Sequence, residues 1–539
     1  MTSISRCVQK WSVFVGFFLV AITSWAKEGD QLHSYQQALK IVQDALENHG
    51  GIERLRESGV TIELQGTFDL AARFQGRSAS KPEPTPIKEW IAMDLVGNNL
   101  AYDIDWFNYF SSNQKLREIY DSEGRLLFLD HRTKVGGYLP RETVVDAQLR
   151  LARVLPNLLL ADALKQRKSL RNIGESREKH RSFHRVSYST TAGNVLTLWI
   201  DKRYDLLSKA SAIIDMPLLG DAQIEWYWDE YNSSEDLRLP NRYQVYLSGT
   251  LMKNVAMSVG LGTKAEDFLP PDDYSVFPPP ESLSPLSDYI PYGAREPVVD
   301  TLSAGVYMVR DLRSGFRLLF VEFEEFALAV DAPSGWYEMQ QIPPMNWSYG
   351  DGTSDLGEKY LRAIKATIPD KPLKYLVLTH HHSDHIGGLR PFLSKNVEIL
   401  AGENAAKLAR QASKASHSLD ASDNYGSDHK PNITIVKGLQ IIKDRTMAVQ
   451  LIELPDGNPK ADNYLMVYLP KQKLLYSTAF IYPVPESAFP PPESINLSVY
   501  FVQWLDRSGL DVEQIYNVHA GGLVEEWQLE KLRHLATEL

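Results

Sequence analysis

The 539-residue chain contains a single cysteine, Cys7. One cysteine cannot form a disulfide within the chain, and it cannot supply the several thiolates of a cysteine-based metal site. Cys7 also lies inside the N-terminal segment that we interpret below as an export signal. The mature protein is therefore expected to contain no disulfide and no cysteine metal ligand, which is compatible with an exported bacterial protein.

Basic residues are outnumbered by acidic ones. The chain has 57 Lys and Arg against 68 Asp and Glu, a formal net charge of -11. Nucleic acid and anionic membranes are bound by clustered basic side chains, so this balance predicts neither partner. With 43% hydrophobic and 23% charged residues, the composition is typical of a soluble globular protein. The length predicts two domains, and the sequence leaves the oligomeric state open.

Long apolar runs are absent beyond the N-terminus. Arg6 and Lys10 flank the start of an apolar run from Trp11 to Ile22, and Ser24-Trp25-Ala26 places small residues where a signal peptidase needs them. This pattern predicts a cleaved signal peptide over residues 1–26 and a periplasmic or secreted protein. An uncleaved anchor is the alternative, although the run is shorter than the roughly 20 residues that span a bilayer. No membrane span is expected in the mature chain.

A proline-rich segment marks the main boundary. Eight prolines fall within residues 268–298, where they block both helix interiors and sheet ladders. We therefore predict a β-rich N-terminal domain over residues 27–267, a linker over 268–298 and a second domain over 299–539.

The predicted N-terminal domain opens with an amphipathic helix, Tyr35 to Asn48, and continues with segments that resemble half-buried strands, many of which alternate polar and apolar residues. The predicted strands are Val60 to Leu64, Trp90 to Leu95, Leu126 to Leu129, Val186 to Thr190, Leu196 to Ile200, Ala222 to Trp228 and Tyr243 to Leu247. The pattern loosely resembles the β domains of periplasmic lipoprotein carriers. Aromatic residues such as Trp226, Tyr227, Trp228, Tyr231 and Tyr243 could line a hydrophobic groove, or they could pack the sheet against its helix, as strand aromatics commonly do.

The predicted second domain alternates strands with helices, which indicates an α/β sandwich of the αββα type. Its buried strand Tyr375 to Thr379 leads directly into His380-His381-His382-Ser383-Asp384-His385. Residues two apart on an extended chain point the same way, so His380 and His382 can face one metal ion. Asp384 and His385 follow after a turn and could meet a second ion. Imidazole and carboxylate ligands suit Zn²⁺ best, with Fe or Mn less favoured; a solvated histidine loop is the alternative.

This motif, with Gly387-Gly388 behind it, resembles the signature of the metallo-β-lactamase superfamily. Gly305-Val306-Tyr307 and Ala329 to Pro333 resemble the first strands of that fold, and Val518-His519-Ala520-Gly521 resembles its last metal-ligand histidine. In the family, one metal is held by three histidines. The other is held by Asp, His and the final His, often with a bridging Asp. The resemblance covers the predicted second domain and none of the first.

The sequence departs from the family pattern at two positions. Lys460 stands in the loop where the middle histidine is usual, and Ala479 stands where the bridging Asp is usual. The resemblance therefore implies that the first site keeps only His380 and His382, while the second keeps Asp384, His385 and His519. We predict one tightly held zinc ion, with two as the alternative.

Three residues near the motif have alternative interpretations. Lys460 could bind an anionic substrate or an oxyanion in place of the first metal, or it could be a surface lysine in a loop aligned wrongly. His417 and His429, in a polar loop over residues 413–430, could be substitute metal ligands or ordinary loop histidines.

These features predict an exported metal-dependent hydrolase that acts on a small-molecule substrate through a metal-bound hydroxide. Asp384 would orient the hydroxide and Lys460 would stabilise the oxyanion. Esters, thioesters, lactones, lactams and phosphoesters all remain open as substrates, and no substrate-binding residue can be named. The alternatives are a catalytically impaired pseudoenzyme that binds a ligand or partner, and a hydrophobic-ligand carrier or sensor that uses the N-terminal domain.

Overall fold

The structure is a computed structural model. It describes residues 30–107, 114–120, 125–132, 134–139, 154–190, 195–234, 236–276, 296–310, 312, 316–334, 355–419, 425–426, 430–483, 486, 489–490, 494–519 and 522–538. The predicted signal peptide, His429 and residues 277–295 of the predicted linker lie outside this description. Among the described helices, none combines the length and the apolar character needed to cross a membrane.

The chain groups into two compact units that are discontinuous in sequence. Of the described residues, the first contains those within 30–54, 154–212 and 225–243, and the second contains those within 55–139, 213–224 and 244–538. Residues 55–139 therefore cluster with the C-terminal part of the chain. The linear boundary at residues 268–298 stays a prediction, because most of that segment is outside the described residues.

The first unit is built from antiparallel strands and two longer helices. One helix spans residues 30–48, in agreement with the predicted Tyr35 to Asn48. The elements that follow along the chain are helix Pro156–Lys165, a 3₁₀ turn Arg167–Ser169, and strands Arg171–Glu178, Arg181–Ser189, Val195–Asp201, Asn232–Ser234 and Leu237–Leu239. Strands Leu207–Met216, Gly220–Asp229 and Arg242–Leu247 and helix Glu53–Ser58 carry residues of both units. Trp226, Trp228 and Tyr243 are each about 1% exposed, so these rings pack in the core, and none of them lines an open groove.

In the second unit, residues 55–139 form an antiparallel meander. Its strands are Val60–Asp69, Pro84–Asp94, Asn99–Trp106, Gln114–Tyr120, Leu126–Asp130 and Val135–Leu139, with Thr250–Leu261 paired on the far side of the first strand and Ser275–Val276 paired on the last. A 3₁₀ turn, Leu70–Arg73, follows the first strand, and another, Ala265–Phe268, precedes the predicted linker. The turn after the first strand carries the chain to the functional site described below.

The C-terminal part of this unit is the predicted αββα sandwich. One sheet contains, in spatial order, Val298–Ser303, Val306–Arg310, Leu318–Glu322, Ala327–Val330, Leu373–Leu378, Glu398–Ala401 and Ile433–Ile435. The other contains Leu439–Lys443, Ala448–Glu453, Leu465–Leu469, Leu474–Thr478 and Gln514–Asn517. The described helices are Asp355–Thr367, Ser383–Ile386, Arg390–Leu393, Glu403–Ala412, Ile495–Ser508 and Glu526–Glu538. The α/β class expected from the alternating pattern is confirmed, and so is the β-rich region before it.

Two apolar clusters hold the layers together. Val330 and Val377 from the first sheet share one buried cluster with Leu451 and Val467 from the second, and that cluster also contains residues of the helices on the first sheet. A second cluster packs the opposite face of the second sheet against Ile495–Ser508 and Glu526–Glu538. Both sheets are therefore covered on both faces, as continuous apolar strands require.

Candidate metal centre

Strand ends from the two sheets converge on the histidine motif. Strand Leu373–Leu378 leads into Thr379 and His380, and the neighbouring parallel strand Ala327–Val330 ends at Asp331. The backbone N–H of Leu465, in the second sheet, donates to the carbonyl oxygen of Thr379 at 2.7 Å. The motif is therefore fixed between the two sheets at the carboxyl ends of parallel strands, which is where α/β folds commonly place their sites.

Asp331 supports the motif through hydrogen bonds to Thr379 and His385. This fully buried carboxylate accepts hydrogen bonds from the backbone N–H and the hydroxyl of Thr379 at 2.8 and 2.9 Å. It also lies 2.9 Å from Nδ1 of His385, whose N–H donates to the carboxylate. The other ring nitrogen of His385, Nε2, is buried and has no hydrogen-bond partner. A carboxylate holding the far nitrogen of an imidazole is the usual support of a metal-ligating histidine.

Two glycines allow the motif to pack closely against its surroundings. A Cβ at Gly388 would lie 2.4 Å from the carbonyl oxygen of Pro333, and a Cβ at Gly387 would lie 2.5 Å from Oγ of Ser334. Any side chain at either position would push the short helix Ser383–Ile386 away from the strand ends. The sequence Gly387-Gly388 is thus explained by close backbone approach.

Asp384, His385 and His519 form the one group of three potential metal ligands found among the described residues. Their donor atoms all lie within 4.8 Å of one another, and all three side chains are buried. Oδ2 of Asp384 is 3.5 Å from Nε2 of His385. The ring of His519 is stacked on Tyr482 and meets Phe316 edge-on, with ring centres 5.2 and 4.8 Å apart. The unpartnered Nε2 of His385 and the imidazole and carboxylate donors of this group fit a Zn²⁺ ion.

His380 and His382 lie beside this group but are not part of it. The ring centre of His380 is 4.1 Å from that of His385 and 4.6 Å from that of His382. His380 also stacks on Tyr464, with ring centres 4.6 Å apart, and its buried Nε2 has no hydrogen-bond partner. No third histidine or carboxylate joins the pair into a three-ligand group within the part of the chain that the structure describes.

Lys460 and Ala479 are both buried. Lys460 is only 6% exposed, so it is not a surface residue. Burial lowers the pKa of its ammonium group to about 8, while the carboxylate of Asp384 acts in the opposite direction. The backbone N–H of Ala479 donates to the hydroxyl of Tyr464 at 3.1 Å.

The electrostatic environment keeps the imidazoles neutral. Burial is the main cause that holds the pKa of His380, His382 and His519 well below the ordinary histidine value. The positive charge of Lys460 lowers all three further. Neutral imidazoles are the form that can bind a metal ion.

The structure places the remaining sequence candidates elsewhere. Nδ1 of His417 is 2.7 Å from a carboxylate oxygen of Asp215, and His417 does not belong to the three-ligand group. Its partner Asp215 was not foreseen from sequence, because the two residues are about 200 positions apart. His429 lies outside the described residues, so its suggested role as a ligand stays a prediction.

Sequence reasoning missed the residues that reach the motif from the N-terminal part of the chain. Gln75 and Gly76, about 300 positions before the motif, hydrogen-bond to Asp384 and His382. Neither lies in a recognisable motif, and no periodicity connects them with the histidines. The turn that presents them is recognisable only in the structure, where it ends with Phe74 at a φ of 57°, an uncommon conformation for a residue other than glycine.

An αββα sandwich with a buried Asp/His cluster at its strand ends defines an α/β domain with a candidate metal site. A family model described as Metallo-beta-lactamase superfamily matches residues 351–415, which include the whole histidine motif. The C-terminal part of the chain is thus a domain of the metallo-β-lactamase superfamily.

The solved structures that resemble the chain include metallo-β-lactamases. The metallo-beta-lactamase from Pontibacter korlensis is 18% identical with a TM-score of 0.33, covering 45% of this chain and 100% of its own. The metallo-beta-lactamase FIM-1 from Pseudomonas aeruginosa, in its mono-zinc form, is 16% identical with a TM-score of 0.32, covering 45% and 96%. A comparison with curated protein sequences finds no match.

Proposed function

We propose that the chain is an exported metal-dependent hydrolase that holds one metal ion through Asp384, His385 and His519. The observation that carries the proposal is the buried cluster of three donor atoms within 4.8 Å of one another. A zinc ion held by these residues would supply a nucleophile near neutral pH, because zinc lowers the pKa of the water that it binds to about 7. Three protein ligands are the number that catalytic zinc sites usually have.

The protein's own residues have separate roles in this proposal. Asp331 holds the tautomer of His385 through the 2.9 Å contact at Nδ1, so that Nε2 faces the ligand group. Lys460 places an ammonium group in a buried, low-dielectric position beside Asp384. There it would stabilise negative charge that develops on a substrate oxygen, as oxyanion-stabilising groups do.

The second candidate function is a pseudoenzyme that binds a ligand or partner without turnover. Lys460 and Ala479 favour it, because they replace a histidine and an acid that the family usually has at its metal site. The carrier alternative gains no such support, since Trp226, Trp228 and Tyr243 are buried in the core.

Metal analysis combined with a substrate panel separates the two candidates. The mature chain is purified with Zn²⁺, its metal content is measured, and it is assayed on esters, thioesters, lactones, lactams and phosphoesters. For a hydrolase, we expect turnover that Lys460→Met lowers by about 10²- to 10³-fold, the usual effect of removing one oxyanion-stabilising group. Lys460→Arg is the matched control, because it keeps the positive charge. Metal binding without turnover of any substrate class would favour the pseudoenzyme.

A further inference from the structure

The metal motif is held on one side by a segment that precedes the whole metallo-β-lactamase domain. Strand Val60–Asp69 ends in the 3₁₀ turn Leu70–Arg73, which Asp69 caps by accepting from the N–H of Ala71 at 2.9 Å. Phe74 then adopts a left-handed conformation, and the N–H of Gln75 returns to the carbonyl oxygen of Leu70 at 3.0 Å. This tight reversal presents residues 73–76 to the motif.

Five hydrogen bonds connect residues 73–76 with the motif. Nε2 of Gln75 lies 2.8 Å from Oδ1 of Asp384 and 3.0 Å from Oγ of Ser383. The hydroxyl of Ser383 donates to the carbonyl oxygen of Arg73 at 3.2 Å, and its N–H donates to that of Phe74 at 3.3 Å. The carbonyl oxygen of Gly76 lies 3.1 Å from Nε2 of His382.

The orientation of the Gln75 amide follows from its neighbours. Both hydrogens of the NH₂ group find acceptors, one on Asp384 and one on Ser383. A flipped amide would turn its carbonyl oxygen towards the Asp384 carboxylate, which has no proton to donate when ionised. The NH₂ group therefore faces the motif.

We infer that Gln75 is a positioning residue of the metal centre, acting through Asp384; this inference rests on the proposed function. Gln75 holds Oδ1 of Asp384, and the other oxygen, Oδ2, is the one that lies 3.5 Å from Nε2 of His385. The amide thus selects which carboxylate oxygen faces the other ligands. Because it is neutral, it does so without adding a positive charge that would compete with a metal ion. Gln75 is 6% exposed, so water does not replace it easily.

The test measures metal affinity and does not depend on catalysis. Gln75→Met keeps the length of the side chain but removes the NH₂ group, and Gln75→Asn keeps an amide that is one methylene shorter. Zinc affinity is measured by chelator competition, and the ligand geometry is followed by the absorption spectrum of the Co²⁺-substituted full mature chain. We expect Gln75→Met to weaken Zn²⁺ binding by about 10- to 100-fold, the usual effect of losing such a supporting contact, and to change the Co²⁺ spectrum.

Thr85→Val provides the matched control. Thr85 is buried on the neighbouring strand, where its hydroxyl donates to Phe68 and accepts from the indole of Trp106. Neither of these hydrogen bonds involves the motif, so loss of the Thr85 hydroxyl should leave metal affinity and the Co²⁺ spectrum unchanged. If metal-free Gln75→Met does not fold, as judged by circular dichroism, Gln75→Asn decides the question by the same two measurements.

The outcomes separate this inference from the proposed function. A folded Gln75 variant with wild-type zinc affinity and an unchanged Co²⁺ spectrum would overturn the inference alone. Metal binding that depends on Gln75, in a chain without hydrolytic activity, would support the inference and contradict the proposed hydrolase function. A wild-type chain that binds no metal would overturn both.

Discussion

Asp384 is the residue on which the single-metal proposal depends most directly. Asp384→Ala leaves only the imidazoles of His385 and His519 in the three-ligand group. It also removes the carboxylate that opposes the buried charge of Lys460, so the remaining ammonium would repel a cation. Both effects weaken the binding of a metal ion. We therefore expect Asp384→Ala to lose the metal ion.

The loss of metal binding can be measured as a loss of the stability that the metal ion adds to the folded protein. A metal ion that binds only the folded chain, supplied at about 100 times its Kd, raises the free energy of unfolding by about 2.7 kcal/mol. We expect this zinc-dependent gain in urea unfolding for the wild-type chain and none for Asp384→Ala or His519→Ala. Metal analysis should give about one equivalent of zinc for the wild-type chain and none for either variant, because a tight zinc site needs three protein ligands.

His380→Ala is the matched control within the motif, since His380 is equally buried but lies outside the three-ligand group. It should keep the metal ion. Lys460→His should raise the occupancy towards two, because it provides a third imidazole beside His380 and His382. Two equivalents in the wild-type chain, or zinc retained by Asp384→Ala, would refute the reasoning.

Three further predictions concern the rest of the chain. His49 is buried, with Nε2 accepting from the N–H of Leu207 at 3.1 Å, and burial lowers its pKa to about 4. Its contribution to stability is thus complete above pH 6.5 and is lost as the pH falls towards 4, by about 3 kcal/mol in total; His49→Gln should flatten the pH dependence of urea unfolding over that range. Lys253 and Glu89 form an ion pair with both side chains 1% exposed, so Lys253→Met should cost about 3–5 kcal/mol. Adding Glu89→Leu should recover most of this loss, and a double variant no more stable than the single would count against the pair. Exported protein should begin near residue 27, after Ala26; an intact mass that includes residues 1–26 would contradict cleavage.

Much of the C-terminal domain could be predicted because its signals are local in sequence. The strand Leu373–Leu378 is recognisable by its consecutive apolar residues, and the candidate ligands Asp384 and His385 follow it within seven positions, together with His380 and His382. A strand end fixes the direction of the residues that follow it, so this spacing alone predicts that the side chains converge. His519 is distant in sequence, and it was found only through the resemblance to a known family.

The sequence of the N-terminal region was less informative. Helix 30–48 and strands such as Gly220–Asp229 were foreseen from their periodicity, whereas strands such as Asn99–Trp106 and Thr250–Leu261 were not. The strand Thr250–Leu261 carries the charged residue Lys253 into the core, where it pairs with Glu89. A buried ion pair breaks the apolar pattern by which strands are found, because each charge is compensated by a partner that lies far away in the sequence.

What only the tertiary structure decided is the environment of the metal ligands. Asp331 is the carboxylate that orients His385, and Tyr464 stacks on His380. Gln75, from a turn some 300 positions earlier, holds Asp384. The candidate ligands Asp384 and His385 belong to a short, local motif that the sequence by itself determined, whereas His519 was added by the family resemblance. Support of those ligands depends on contacts between distant segments, which no local pattern encodes and which exist only once the sheets and the turn have packed together.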